Sequence, residues 1–345
     1  MRIFRLGDAG PEVGDIQDRL SALGVTIDDE ERGGEFGPST DAGVRNFQGE
    51  RSLRVDGLVG PDTWGQLVEA GYRLGDRTLY LHFPLYRGDD VSTLQRKLNV
   101  LGFDAGREDG LFGKKTDRAI RDFQRNVGEE PDGIVGLHTI STLERMRPHE
   151  TGPSRAMVRE AEELRHMRTS AQGQVIAIDA GAAEADEPDD LATRAIAGSV
   201  MDHLIALGCK PASLGAEPGA PQMASERARE ANSIGAAMCI SVHLASGLPE
   251  ASGPTCSYFG SARTHSPAGM LLAQLILDEL ERELGVRGRL QRLTGAMLRE
   301  TRMPAVQVEP AFITNEVEAA QLGDPAHRDR IGRAISQGVH RFFSE

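Results

Sequence analysis

The sequence predicts a multidomain chain: two small all-α three-helix bundles followed by an α/β domain with a mostly parallel sheet. Three observations predict it. A block occurs twice in the first half, its apolar residues fall at helical spacing in both copies, and beyond residue 173 short unbroken apolar runs alternate with long amphipathic stretches. At 345 residues the chain exceeds one ordinary core. The expected boundaries are 1–72 and 73–147 for the bundles, 148–172 for a linker, and 173–345 for the α/β domain.

The first helix of each copy carries Val13, Ile16, Leu20 and Leu23, matched by Val91, Leu94, Leu98 and Leu101. Spacings of i, i+3, i+7 and i+10 place them on one helical face. Gly24 and Gly102 follow as C-terminal caps. EFGPSTDAGVRNFQ then aligns with LFGKKTDRAIRDFQ, pairing Phe36 with Phe112, Thr40 with Thr116, Phe47 with Phe123 and Gln48 with Gln124. VDGLVGPDTWGQL aligns with PDGIVGLHTISTL, where Asp56-Gly57 and Asp132-Gly133 supply the positive-φ residue of a tight turn. The offset is 78 residues in the first helix and 76 afterwards, so the connecting loops differ by two.

Residues 148–172 are polar, broken at Pro148, Gly152 and Pro153, with a short solvated helix expected over 154–167. Strands are then expected at 175–178, 211–214, 237–242, 257–259 and 306–309, with long helices at 191–207, 271–284 and 328–343.

Composition narrows the function. A net charge of −13 argues against nucleic acid and anionic membrane surfaces as partners. No window approaches the roughly 18 apolar residues of a membrane span. MRIFRLGDAGPEV turns polar at once, so no signal peptide is expected. Cys209, Cys239 and Cys256 are odd in number and suit a reducing compartment, which makes a cytoplasmic location the expectation.

The repeats resemble the peptidoglycan-binding domain found beside many wall hydrolases, over residues 5–68 and 84–145. Their FQ…DGxxG pattern carries the likeness. Nearly every matching residue is a core position, a cap or a turn, so the pattern speaks for the fold before it speaks for a ligand. The resemblance implies peptidoglycan fragments or muropeptides as partners, or a docking surface for proteins.

Four islands of the C-terminal domain resemble the zinc N-acetylmuramoyl-L-alanine amidases of type 3. They are IDAGAA (178–183), Asp189-Asp190-Leu191 opening a helix, Arg227…Ala231-Asn232 with CISVHLA (239–245), and MPAVQVEPAFITN (303–315). In that family two histidines and a glutamate hold zinc. The metal polarises the amide between muramic acid and L-alanine and acidifies its water, while a late-strand glutamate moves the proton. The resemblance places the second histidine at His243, the acid/base at Glu309, the ligand glutamate at Asp189 and the first histidine at Ala182. Alanine has no lone pair, and aspartate is one methylene short, so the set is incomplete. Substitute ligands within the sequence are Glu184, Asp186, Glu187, Asp190 and His265, although an acidic run is more often a solvated loop. Glu309, buried after a strand, needs water, a pocket, or a partner such as Arg299 or Arg302.

The whole arrangement, including residues 71–95 between the repeats, resembles the CwlM-type amidase-like regulators of actinobacteria. That likeness implies a non-catalytic regulator or sensor of cell-wall synthesis, a pseudoenzyme in the cytoplasm. Its implied partners are peptidoglycan precursor-synthesis enzymes and wall-assembly proteins, with control through threonine phosphorylation. In that group the phosphorylated threonine lies on a tail beyond the last helix, whereas this sequence ends at Glu345. The alternative is an active zinc amidase hydrolysing the muramoyl-L-alanine bond. A third reading is a wall-binding protein with an inert C-terminal domain.

Overall fold

The computed structural model describes residues 2–146, 162, 170–181, 188–215, 222–261 and 264–344, with the side chains of 188–190 excepted. Two compact units emerge, Met1–Glu160 and Ala161–Glu345. The linker helix expected over 154–167 lies outside the described residues, apart from Glu162.

The first unit holds both bundles. In the first, α1 (Pro11–Ala22), α2 (Pro38–Glu50) and α3 (Pro61–Ala70) each begin with a proline in the first turn, where the missing N–H costs nothing. In the second, α4 (Asp89–Val100), α5 (Lys114–Val127) and α6 (Leu137–Arg145) repeat the plan. Each bundle has its own core. Val13, Ile16, Leu20, Phe36, Val44 and Phe47 fill one; Val91, Leu94, Leu98, Phe112, Ile120 and Phe123 fill the other. Each such side chain contributes about 1.5–3 kcal/mol on burial. Leu23 departs from the expected stripe and is 37% exposed, because it is the residue just past the end of α1. Gly24 and Gly102 take φ values of 91° and 90°, as a C-terminal cap requires.

The repeated glutamine is the lock of the turn that follows it. Gln48 donates to Asp56 Oδ1, Leu58 O and Thr63 Oγ1, and its own oxygen accepts from the Asp56 and Gly57 N–H groups. Gln124 does the same work on Asp132, Ile134 and Gly133. Both glutamines are buried, so the FQ…DG signature is an internal hydrogen-bond network. Arg51 bridges the copies through a bidentate pair with Asp89, at 2.7 and 2.9 Å.

The second unit is a six-stranded mixed sheet. Its strands are β1 (Val175–Asp179), β2 (Lys210–Ser213), β3 (Met238–Val242), β4 (Thr255–Phe259), β5 (Arg289–Leu293) and β6 (Ala305–Glu309), in the order β2-β1-β3-β6-β4-β5. The first three and β6 run parallel; β4 is antiparallel to β6, and β5 is parallel to β4. One face carries Ile176, Ile178, Ile240, Val306 and Val308 in a large apolar core. The long helices α7 (Pro188–Ala206), α9 (Pro267–Leu284) and α12 (Pro325–Ser344) cover it. The other face is apolar only at one end. There Ala177, Cys239, Ala305 and Phe259 share a smaller core with α8 (Ala224–Ser233) and α10 (Ala296–Glu300). A last short helix, α11 (Glu316–Leu322), follows β6.

Candidate functional site

On the second face the rows above that apolar end are polar. Asp179, Ser241, Gln307, Ser257 and Gln291 stand side by side in register across five strands. Beyond them, at the C-terminal ends of the parallel strands, lie His243 and Glu309. The His243 N–H donates to Val308 O at 2.9 Å, which fixes these two residues at the same level on neighbouring strands. The carboxyl ends of parallel strands are where α/β sheets hold ligands.

His243 is oriented by a buried relay. Arg227 Nε donates to Asp179 Oδ1 at 2.8 Å, and Ser241 Oγ donates to Asp179 Oδ2 at 2.5 Å. Ser241 Oγ also lies 2.8 Å from His243 Nε2. An aspartate paired with a guanidinium offers only acceptors, so the single serine proton goes to Asp179. The imidazole must then donate from Nε2, and Nδ1 carries its lone pair. Gly181, at φ +61°, presses against that edge of the ring. A Cβ there would stand 2.9 Å from Nδ1 and 3.0 Å from Cε1, so the chain leaving β1 needs glycine here.

Family motif residues outside this relay are structural. Asn232 donates to Glu300 O and accepts from the Arg302 N–H, which ties α8 to the approach of β6. Glu318 accepts from the Phe312 and Gly253 N–H groups, and Asn315 donates to Pro249 O and Ala251 O. Together they fasten the loop after β6 to the loop after β3, beside Glu309. Arg299 and Arg302 precede β6, at the end of the strand away from Glu309.

His265 does not serve as a substitute ligand. Because β4 runs antiparallel to β6, with Thr255 opposite Glu309, the loop after Phe259 leaves at the far end of the sheet. Four residue steps of a strand separate the two ends by roughly 13 Å. The sequence carried the histidine but not the direction of its strand. Burial pushes the Cys239 and Cys256 thiols far up, with the charges of Asp179 and Glu309 adding to it, so neither offers a thiolate.

Of the positions that the resemblance assigns to zinc, His243 is held by Ser241 through Nε2. Ala182 lies outside the described residues, and its methyl group has no donor in any placement. Asp189 begins α7, its side chain not described, and Glu184, Asp186 and Glu187 are also outside the described residues. Among the described residues no three metal-ligating side chains converge. The donors present fit a two-histidine, one-carboxylate centre poorly. His243 and Glu309 stand at one level above a row of hydroxyl and amide groups.

The N-acetylmuramoyl-L-alanine amidase family model matches residues 177–341, and a putative peptidoglycan-binding domain model matches 9–67 and 87–143. The chain is 36% identical to the N-acetylmuramoyl-L-alanine amidase CwlM of Mycobacterium tuberculosis, over 99% of this chain and 89% of the relative. It is 30% identical to the amidase CwlL of Bacillus licheniformis, over 41% of this chain and 45% of that protein. Among solved structures, an N-acetylmuramyl-L-alanine amidase of Mycobacterium smegmatis aligns at 21% identity and a TM-score of 0.47, covering 51% of this chain and 99% of the other.

Proposed function

The chain belongs to the N-acetylmuramoyl-L-alanine amidase family, and from that premise we propose that it is a non-catalytic member. It acts as a regulator or sensor of cell-wall synthesis that holds muropeptide or wall-synthesis proteins, working in the cytoplasm. The observation that carries this reading is the alanine that the sequence has at position 182, where the family resemblance expects the first histidine ligand. The relay of Arg227, Asp179 and Ser241 still orients the His243 ring, while the sequence lacks the partner donor. Loss of a group that merely orients a metal ligand already weakens affinity about 10–100-fold, and loss of a ligand itself weakens it further. Without the metal nothing polarises the scissile carbonyl, and Glu309 alone leaves the barrier too high for useful turnover.

The alternative, an active zinc amidase, draws on the retained pair of His243 and Glu309. One experiment separates the two. Zinc stoichiometry of the purified chain is measured beside His243→Ala, and muropeptide hydrolysis beside Glu309→Ala. The non-catalytic reading expects far less than one zinc per chain and no turnover with zinc supplied. One zinc per chain, lost in His243→Ala, together with hydrolysis lost in Glu309→Ala, establishes the active enzyme instead.

A further inference from the structure

The two bundles differ in the approach to their first helix. In the first copy Phe4 pairs with Val59, and the chain reaches the glycine before α1 through Arg5-Leu6-Gly7-Asp8-Ala9. In the second copy Leu79 pairs with Val135, and the chain takes three residues more, Tyr80-Leu81-His82-Phe83-Pro84-Leu85-Tyr86-Arg87, before Gly88. This longer segment is fixed in place. Arg77 grips the buried Asp90 at 2.8 and 3.1 Å, donates to Arg87 O, and stacks over the Tyr72 and Tyr86 rings. Tyr86 in turn meets the His82 and Tyr80 rings edge-on, with centroids 3.9 and 5.6 Å away.

What the segment presents to solvent is apolar. Phe83 is 75% exposed, and Tyr80 and Leu81 are exposed beside it. The antiparallel pairing of Leu79 with Val135 brings Tyr80 next to Ile134, both turned away from that buried pair. Three residues on, Leu137 opens α6 and is 77% exposed. These five side chains expose roughly 500 Å², as much as the largest apolar patch on a typical monomer. None of them is charged. Residues 71–146 carry twelve acidic and twelve basic side chains, and so none of the chain's net charge of −13. Where two copies of so acidic a chain meet, repulsion is least across this neutral bundle. Two such patches face to face bury about 1,000 Å², which is enough for a weak, micromolar dimer. A segment already fixed by Arg77 loses little freedom on association.

We propose that the chain forms a two-fold dimer through its second bundle, the patch of Tyr80, Phe83, Ile134 and Leu137 on one copy packed against the same patch on the other. The dimer stands apart from the reading above and holds whether or not the C-terminal domain binds zinc. The first bundle has Arg5 where the second has Tyr80, and Pro61 where the second has Leu137, and it stays out of the interface.

Sedimentation equilibrium of the full chain tests this. A monomer–dimer equilibrium with a micromolar Kd is expected. Because the contact is apolar and the copies repel one another, added salt tightens it. Leu137→Asp puts two carboxylates into the contact, and at the first position of α6 a carboxylate suits the helix dipole, so the fold is kept. It weakens association at least about tenfold, and Phe83→Asp does the same. Pro61→Asp, the counterpart of Leu137→Asp in the first bundle, changes the Kd less than about twofold. A chain that stays monomeric at about 200 µM overturns the proposal. So does a dimer that salt weakens, that either Leu137→Asp or Phe83→Asp leaves intact, or that Pro61→Asp disrupts as much as they do.

Discussion

Replacing Arg227 by methionine tests the relay behind His243. The guanidinium and the Asp179 carboxylate are 7% and 1% exposed, and they meet at 2.8 Å. Arg227 also donates to Gln222 O at 2.5 Å. Without arginine, Asp179 keeps, among the described residues, only the Ser241 proton, and a buried carboxylate without its cation costs about 3–5 kcal/mol. For a unit of this size each kcal/mol moves the midpoint by about 2–4 °C, so the α/β unit is expected to melt roughly 6–20 °C lower. Differential scanning calorimetry of the full chain reads this, with the transition of the helical unit as internal reference. The pairing makes a second demand. Asp179→Asn combined with Arg227→Met removes both charges while the asparagine oxygen still accepts from Ser241, so it recovers most of the loss. A single variant that melts within 2 °C or so of the parent refutes the reasoning, and so does a double variant whose losses simply add.

Three further outcomes follow from the same contacts. Ser241→Ala frees the His243 ring from its donor role, so side-chain nitrogen NMR shows the Nε2–H tautomer giving way to a mixture, at a stability cost of about 1 kcal/mol. In the first bundle, burial alone would raise the Glu31 carboxyl, but the Ser39 N–H and the N–H and hydroxyl of Thr40 hold it down to about 2, from an ordinary 4.5. A depressed folded value gives stability that is present above pH 4.5 and lost as pH falls towards 2. Glu31→Gln therefore destabilises the helical unit at pH 7 by about 1–3 kcal/mol, and flattens its acid unfolding below pH 4.5, measured by circular dichroism. Restoring the missing donor with Ala182→His and Asp189→Glu yields close to one zinc per chain by elemental analysis, because the resemblance assigns His243 to the same ligand set and the relay already orients its ring. Failure of that variant to hold zinc, with its fold intact, shows that more than the donor has been lost.

Much of the fold is legible in the sequence because duplication and periodicity are local signals. The helices of both bundles, the buried strands β1, β3 and β6, and the long helices α9 and α12 follow from apolar spacing alone. What escaped is what depends on pairing partners. Arg289–Leu293 alternates arginine, leucine and glutamine with only Leu293 buried, so nothing local marks it as an edge strand. The antiparallel direction of β4 is not written in its own residues, and it decides that His265 lies far from the site. His243 and Glu309 were singled out through their motifs, and the structure sets them at one level on neighbouring strands, whereas the relay that orients His243 was not legible. Its one local sign is Asp179, a charge ending the apolar run of β1, and its partner Arg227 comes 48 residues later.

That relay bears on what the surviving residues mean. Asp179, Ser241 and Arg227 are all buried, each satisfying another's hydrogen-bonding demand, so removing any one leaves an uncompensated polar group. Fold stability alone is reason enough for a chain to keep them, and with them the orientation of His243, whether or not hydrolysis occurs. A well-posed histidine is therefore weak support for catalysis. Position 182 answers to a different constraint. A histidine there serves the metal in the family, and the methyl side chain of an alanine carries no hydrogen-bonding group that a relay could use. The chemistry is thus separable from the scaffold at this one residue, which makes it the position where an amidase fold can give up zinc while the polar row and the strand-end pair stand unchanged.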